Sequence, residues 1–185
     1  MAFSAEHFLQ NFLENNVQTG MLVVDGRAGN GQKTRFLASR VGKDGMVLSF
    51  HKEREEANKT AASLFMAGLQ ERVTIENGQI SEESLTKELG RLTKVDLVLL
   101  DYSKNSQAVA EELNADSEAA WPFLKDGGKL ILLLPNDVDL NNWQKSIREN
   151  QDDNFSMAAF SAEDSSCLLF EKEAEEAQIP SKAFD

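Results

Sequence analysis

The stretch Met21-Leu22-Val23-Val24-Asp25-Gly26-Arg27-Ala28-Gly29-Asn30-Gly31-Gln32-Lys33-Thr34-Arg35-Phe36-Leu37-Ala38 decides the fold. An apolar run ending at Val24 leads into a glycine-rich turn over 25–31, and a helical pattern follows over 32–41. Strand, turn and helix in that order form the first half of a β-α unit. Glycine belongs in such a turn for two reasons. A tight strand-to-helix turn calls for positive φ, and a missing Cβ lets a ligand lie against the backbone. Asp25 ends the strand beside the turn, where a carboxylate accepts from a cationic amine or a hydroxyl. These features point to a nucleotide-type cofactor. A phosphate-binding P-loop is nearly spelled by Gly26, Gly31, Lys33 and Thr34, but that motif runs Gly, Lys and Ser/Thr consecutively and Gln32 interrupts them. A turn with a purely structural role is the plainer alternative.

Working outward, Phe8, Leu9, Phe12 and Leu13 recur at helical spacing and predict an N-terminal helix at about 4–16. Strands are expected at 21–25, 46–50, 72–76, 95–100 and 129–134, separated by helices at 32–41, 53–69, 81–91 and 106–123. The unbroken apolar runs in 97–100 and 130–134 suit strands buried on both faces, hence a parallel sheet covered by helices. A helix at 139–149 and two strands near 154–160 and 166–171 complete the pattern. The last two are close in sequence and are expected to pair antiparallel. Lys125-Asp126-Gly127-Gly128 reads as a structural turn before the fifth strand. One domain over 1–172 is expected, followed by an acidic, disordered tail over 173–185.

Composition narrows the function classes. With 185 residues and 41% hydrophobic content the chain can bury one substantial core. Lys and Arg number 19 against 31 Asp and Glu, a formal charge of −12, so any RNA binding needs a local basic patch. The single cysteine, Cys167, excludes an internal disulfide and a multi-cysteine metal site, and His7 and His51 have no metal-ligand spacing. No apolar run approaches the roughly 20 residues that span a bilayer, so a cytoplasmic protein without a membrane partner is expected.

Three further segments carry candidate chemistry. At the second strand end, Phe50-His51-Lys52-Glu53 lies about 20 residues beyond the glycines, where a carboxylate that accepts both ribose hydroxyls is expected in nucleotide-binding folds. His51 occupies that place and Glu53 follows two residues on. His51 as an exposed loop residue and Phe50 as core are the plainer alternatives. Asn77-Gly78-Gln79 follows the third strand and is suited to reading an adenine edge, although Asn-Gly is also an ordinary turn. After the fourth strand, Asp101 could orient or deprotonate an acceptor with help from Lys104, and Tyr102 could line the pocket. Asp101 as a cap of the following turn is equally open.

The segment from Val24 to Ala38 resembles the opening motif of a small bacterial rRNA-methylase family, which reads roughly Val-Asp-Ala-Thr-x-Gly-Asn-Gly-x-Asp-Thr-x-Phe-Leu-Ala. Its members include the tRNA wobble-uridine methyltransferase that acts on 5-aminomethyl-2-thiouridine. The resemblance extends over about 6–172 through Phe8-Leu9, Phe50, Asn77-Gly78-Gln79 and Gly127-Gly128. It implies an α/β, Rossmann-like class I methyltransferase fold, a three-layer sandwich with a mostly parallel seven-stranded sheet and a C-terminal antiparallel hairpin. It also implies S-adenosylmethionine as methyl donor, S-adenosylhomocysteine as product, and an RNA as a candidate substrate. Departures fall at Lys33 and His51 for acidic residues, Asn77 and Gln79 for Asp and His, and Asp101-Tyr102-Ser103-Lys104 for Asn-Leu-Gly-Tyr; against the broader acidic-x-Gly-x-Gly-x-Gly pattern of S-adenosylmethionine enzymes, Arg27 stands for the first glycine. The last segment is loosely similar to the Asp-Ala-Asp-Lys of small-molecule O-methyltransferases.

The resulting expectation is an S-adenosylmethionine-dependent methyltransferase of tRNA or rRNA that requires no metal, with a homodimer left open. Asp25, Gly29, Asn30 and Gly31 would hold the methionine end of the donor, and Glu53 or His51 the ribose. Phe50, Asn77, Gly78 and Gln79 would hold the adenine, and Asp101 would be catalytic on the acceptor side. A catalytically weakened binding module, a small-molecule O-methyltransferase and a nicotinamide-dependent reductase are the rivals.

Overall fold

The computed structural model describes residues 4–103, 109–136, 138, 155–163 and 165–174. Helix α1 (Ala5–Asn16) precedes strand β1 (Leu22–Asp25), helix α2 (Gln32–Val41), strand β2 (Met46–His51) and helix α3 (Arg54–Met66). Strand β3 (Val73–Asn77), helix α4 (Glu82–Leu89), strand β4 (Val95–Asp101) and helix α5 (Val109–Ala120) follow, then strands β5 (Leu124–Pro135), β6 (Phe155–Ser161) and β7 (Ser165–Lys172). The seven strands form one sheet in the order β3-β2-β1-β4-β5-β7-β6. The first five pair in parallel, and β7 joins β5 and β6 antiparallel, as expected for a terminal hairpin.

Period-two alternation splits the core between the two faces of the sheet. Leu130, Leu132 and Leu134 of β5 join Val98 and Leu100 of β4, with Leu85 of α4 and Leu113 of α5. The intervening Ile131 and Leu133 join Leu97 and Leu99, with Leu9 and Leu13 of α1, Leu37 of α2 and Leu64 of α3. Helices thus cover both faces, and the apolar runs of β4 and β5 are apolar because both sides are dry.

Local chemistry sets the helix ends. Ser4 caps α1 by accepting from the His7 amide at 3.1 Å, and Ser81 and Ser84 form a reciprocal capping box on α4. The helix expected over 106–123 ends at Ala120, and Trp121-Pro122-Phe123 tightens into a 3-10 turn. Proline has no N–H to continue the ladder, and Trp121 packs edge-on against Phe155 with ring centroids 5.8 Å apart. The turn expected at 125–128 is a bulge inside a longer β5. Leu124 pairs with Val95 and Lys129 with Leu97, so the four residues between them stand opposite one residue of β4. The expected helix at 139–149 and the tail beyond residue 174 lie outside the described residues. Among the described residues no helix is long and apolar enough to cross a membrane.

Leu132 is 0% exposed at the centre of β5. Its replacement by alanine is expected to cost about 2–5 kcal/mol, read as a lower urea midpoint at unchanged slope.

Candidate functional site

Strand order reverses direction between β1 and β4, and a crevice opens beyond the carboxyl ends of the strands at such a switch point. A cavity of about 370 Å³ occupies this position. Its walls come from four successive turns: Gly26 to Asn30 after β1, Phe50, Lys52 and Glu53 after β2, Gly78 to Ile80 after β3, and Asp101 at the end of β4. Gln32 and Lys33 of α2, Glu56 of α3 and Asp116 of α5 complete it.

The glycine turn is locked in place by its neighbours. The Gly26 amide donates to the Leu99 carbonyl at 2.9 Å, and the Ala28 amide donates to the Phe50 carbonyl at 3.0 Å. Gly29 adopts φ +50° and lines the cavity, with nothing within 4 Å of where a Cβ would stand. Gly31 adopts φ +74° for a different reason, since a Cβ there would lie 2.1 Å from the Thr60 hydroxyl. Gly29 therefore leaves room for a ligand, whereas Gly31 leaves room for α3.

His51 is buried rather than exposed, and it stands behind the cavity wall instead of in it. Its Nδ1 lies 3.0 Å from the Gly29 carbonyl and its Nε2 lies 3.3 Å from Ser49 Oγ. A carbonyl only accepts, so Nδ1 carries the proton; burial lowers the pKa, which favours the neutral ring. The place expected to touch ribose is thus occupied by a group that orients the glycine turn, and Glu53 is the carboxylate that faces the cavity there. Asn77 also turns away from the lining, donating from Nδ2 to the His51 carbonyl at 3.0 Å, while Gly78 and Gln79 face inward. Phe50 is 2% exposed, and it serves both the core and the cavity wall.

Asp25 is fully buried at the floor of the turn. Its Oδ2 accepts from the Thr34 hydroxyl at 2.7 Å, whereas Oδ1 has no hydrogen bond of good geometry; the nearby Arg27 amide only favours its charge. Burial pushes its pKa up to about 6, with the Thr34 bond and Lys33 opposing and Asp101 adding to the rise.

Two polar clusters flank the turn. Lys33 Nζ lies 2.7 Å from Asp101 Oδ2 and 2.8 Å from Glu6 Oε1 of α1. Asp101 Oδ1 accepts from the Ser103 amide at 2.9 Å and its hydroxyl at 2.6 Å, so the expected turn cap is present as well. Burial raises the Asp101 pKa, but Lys33 and then Ser103 more than offset it and hold the carboxyl below its usual range. On the other side, Arg27 pairs with Glu112 at 2.7 Å and Asp116 at 3.1 Å while its guanidinium lies 4.3 Å from the Tyr102 ring centroid. Tyr102 is buried and donates to Asp116 at 2.7 Å, so it supports the wall without forming part of it. Lys104 lies outside the described residues.

Gln32, Lys52, Glu56, Ile80 and Asp116 are lining residues that sequence reading did not select. Asp116 lies 89 positions from Arg27, and only its four-residue spacing from Glu112 hints at a shared helix face.

The raised Asp25 pKa has a definite sign. Between about pH 4 and pH 6 the folded state binds a proton that the unfolded chain has released, so stability is greater below this window and is lost as pH rises through it. Asp25→Asn removes this dependence. Urea titrations are expected to show its stability relative to the parent rising by on the order of 3 kcal/mol from pH 4 to pH 7.

No protein-family model matches the chain. Among solved structures it is similar to one named "putative rRNA-methylase" from Clostridium thermocellum, at 21% identity over 95% of this chain and 99% of that one, with a TM-score of 0.77. An rRNA methylase from Streptococcus thermophilus is 18% identical over 94% and 99% of the two chains, with a TM-score of 0.74. A Streptococcus mutans protein solved in complex with SAH is 14% identical over 93% and 99%, with a TM-score of 0.72. Strand order, terminal hairpin and these likenesses together give the chain the three-layer fold of class I methyltransferases.

Proposed function

We propose that the chain is an S-adenosylmethionine-dependent methyltransferase whose acceptor is a nucleoside of tRNA or rRNA. The observation that carries the reading is the Cβ-free cradle at Gly29, which opens on the cavity at the switch point; the same turn begins at Asp25, a buried carboxylate outside the lining whose Oδ1 has no hydrogen-bond partner among the described residues. A nucleotide-sized ligand needs a concave site of about 300–1,000 Å³, and the cavity of about 370 Å³ meets this. The same fold holds SAH in the Streptococcus mutans neighbour.

Residues already on the cavity wall divide the work. Backbone groups at Gly29 and Asn30 border the methionine end, with Asp25 beneath supplying negative potential toward its ammonium. Glu53 faces the ribose hydroxyls, and Phe50, Gly78 and Gln79 border the adenine. His51 and Asn77 act one step back by fixing the turns after β1 and β3. The bound donor supplies a sulfonium methyl that is already electrophilic. What remains for the protein is to align an acceptor with that methyl and exclude water. Asp101, 12% exposed at its side chain, is the group placed to orient that acceptor. Two neighbours named as rRNA methylases support an RNA acceptor.

A small-molecule acceptor is the second reading, favoured by one observation. Among the described residues, each of the three cations in the lining, Arg27, Lys33 and Lys52, is already paired with a carboxylate. Incorporation of labelled methyl into total tRNA and rRNA, against a pool of small metabolites, separates the two.

Calorimetry with S-adenosylhomocysteine is expected to give a dissociation constant on the order of micromolar, about −8 kcal/mol. Gly29→Val both fills the cradle and strains a backbone held at φ +50°, and is expected to abolish the heat. Absence of binding to the parent protein at millimolar ligand would remove the methyltransferase reading.

A further inference from the structure

Lys33 breaks a local rule. It is the second residue of α2, where the helix dipole disfavours a cation, and the first turn of that helix contains no acidic residue to compensate. The compensation comes from outside the helix, through Glu6 of α1 at 2.8 Å and Asp101 of β4 at 2.7 Å. Two carboxylates from different elements thus converge on one ammonium at the rim of the cavity. Such departures from local preference concentrate at working sites.

The Asp101 carboxylate has about four acceptor positions on its two oxygens. Ser103 fills two of them on Oδ1, through its amide and hydroxyl, and Lys33 fills one on Oδ2. Among the described residues one position on Oδ2 is left without a partner, on a side chain that lines the cavity. We propose that Lys33, held by Glu6, is a positioning residue that fixes Asp101 as a hydrogen-bond acceptor for the N–H or O–H of the methyl acceptor. This rests on the methyltransferase reading of the site. The acceptor atom's lone pair forms the new bond to the methyl carbon as the carbon–sulfur bond breaks, leaving a neutral thioether. The proton on the acceptor atom then passes to solvent water. Asp101 aligns that atom and does not take its proton, because a carboxylate so well paired is a weak base.

The charged and titratable groups facing this pair are Glu6 from α1, Asp25 from the end of β1, and Lys33 itself from α2; Ser103 adds its hydrogen bonds. All belong to the described residues. Burial opposes the Lys33 charge, and Asp101 and Glu6 outweigh it, so the ammonium persists to higher pH than usual.

The test compares the parent protein with Lys33→Met, Lys33→Arg and Glu6→Gln. Three measurements are made: carboxyl NMR titration of Asp101 in the free protein, calorimetry with S-adenosylhomocysteine, and methyl transfer from labelled donor to total tRNA and rRNA between pH 5.5 and 9. Lys33→Met is expected to move the Asp101 titration upward, to keep ligand affinity within about threefold, and to lower transfer roughly tenfold or more. Its transfer should also acquire an acidic limb at the new Asp101 titration. Lys33→Arg, which keeps the charge, is expected to restore the Asp101 titration and most of the rate, and Glu6→Gln, on a half-exposed side chain, to give a weaker form of the same effect. An Asp101 titration in Lys33→Met that matches the parent overturns the proposal. So does a loss of ligand affinity as large as the loss of transfer, which would place Lys33 on the cofactor side. Failure of the parent to bind the ligand would instead defeat the methyltransferase reading, while the titration in free protein would still report on the clamp.

Discussion

Backbone hydrogen bonds between neighbouring turns hold the site together. The Gly26 amide reaches the Leu99 carbonyl, the Ala28 amide the Phe50 carbonyl, and the Gly78 amide the His51 carbonyl. Each bond joins the turn after one strand to the end of the next strand in the sheet. The turns after β1 and β3 are thereby tied to the ends of β2 and β4, although these are far apart in sequence. The bonds also satisfy polar groups that would otherwise be orphaned at the edge of a dry core, which is costly to leave undone. A crevice opens there because the chain leaves β1 for α2 on one face of the sheet and β4 for α5 on the other.

Charge on the cavity rim follows from that arrangement. Asp25 and Asp101 end adjacent strands, and the Asp101 charge adds to the cost of ionising Asp25. Asp25 yields, because it is wholly buried and has only the Thr34 hydroxyl as a close partner. Asp101 remains ionised because Lys33 and Ser103 meet both of its oxygens. Two carboxylates on neighbouring strands thus receive opposite pKa shifts, a separation that often marks distinct roles in one site. Arg27 performs a comparable service across the turn by pairing with Asp116 and Glu112 and lying over Tyr102, which ties α5 to the glycine turn.

Positions that looked like departures from a family motif acquire physical meaning here. Lys33 where the motif has an acid, and Asp101 where it has Asn, are one change, since an acid at 33 would repel Asp101 and a lysine pairs with it. Arg27, where the broader S-adenosylmethionine pattern has a glycine, is paired with carboxylates that neutralise it, and His51 in place of an acid supports the turn from behind. These altered residues form satisfied contacts.

Most of the architecture was legible in the sequence because it follows from local chemistry. Apolar runs fixed β4 and β5, helical spacing fixed α1 and α2, and the closeness of β6 and β7 fixed the hairpin. The glycine turn and the segments 50–53, 77–79 and 101 were correctly placed at the strand ends, since residue position along a β-α unit is a one-dimensional property. Which side chains face inward was not legible. His51 and Glu53 lie two residues apart, yet one is a buried support and the other a lining residue, a difference set by the Gly29 carbonyl behind one of them. The pairings of Lys33 with Asp101 and of Arg27 with Asp116 span 68 and 89 positions. Only the sheet order brings those ends within a hydrogen-bond length, so the chain determined the frame and the tertiary packing decided the electrostatics of the site.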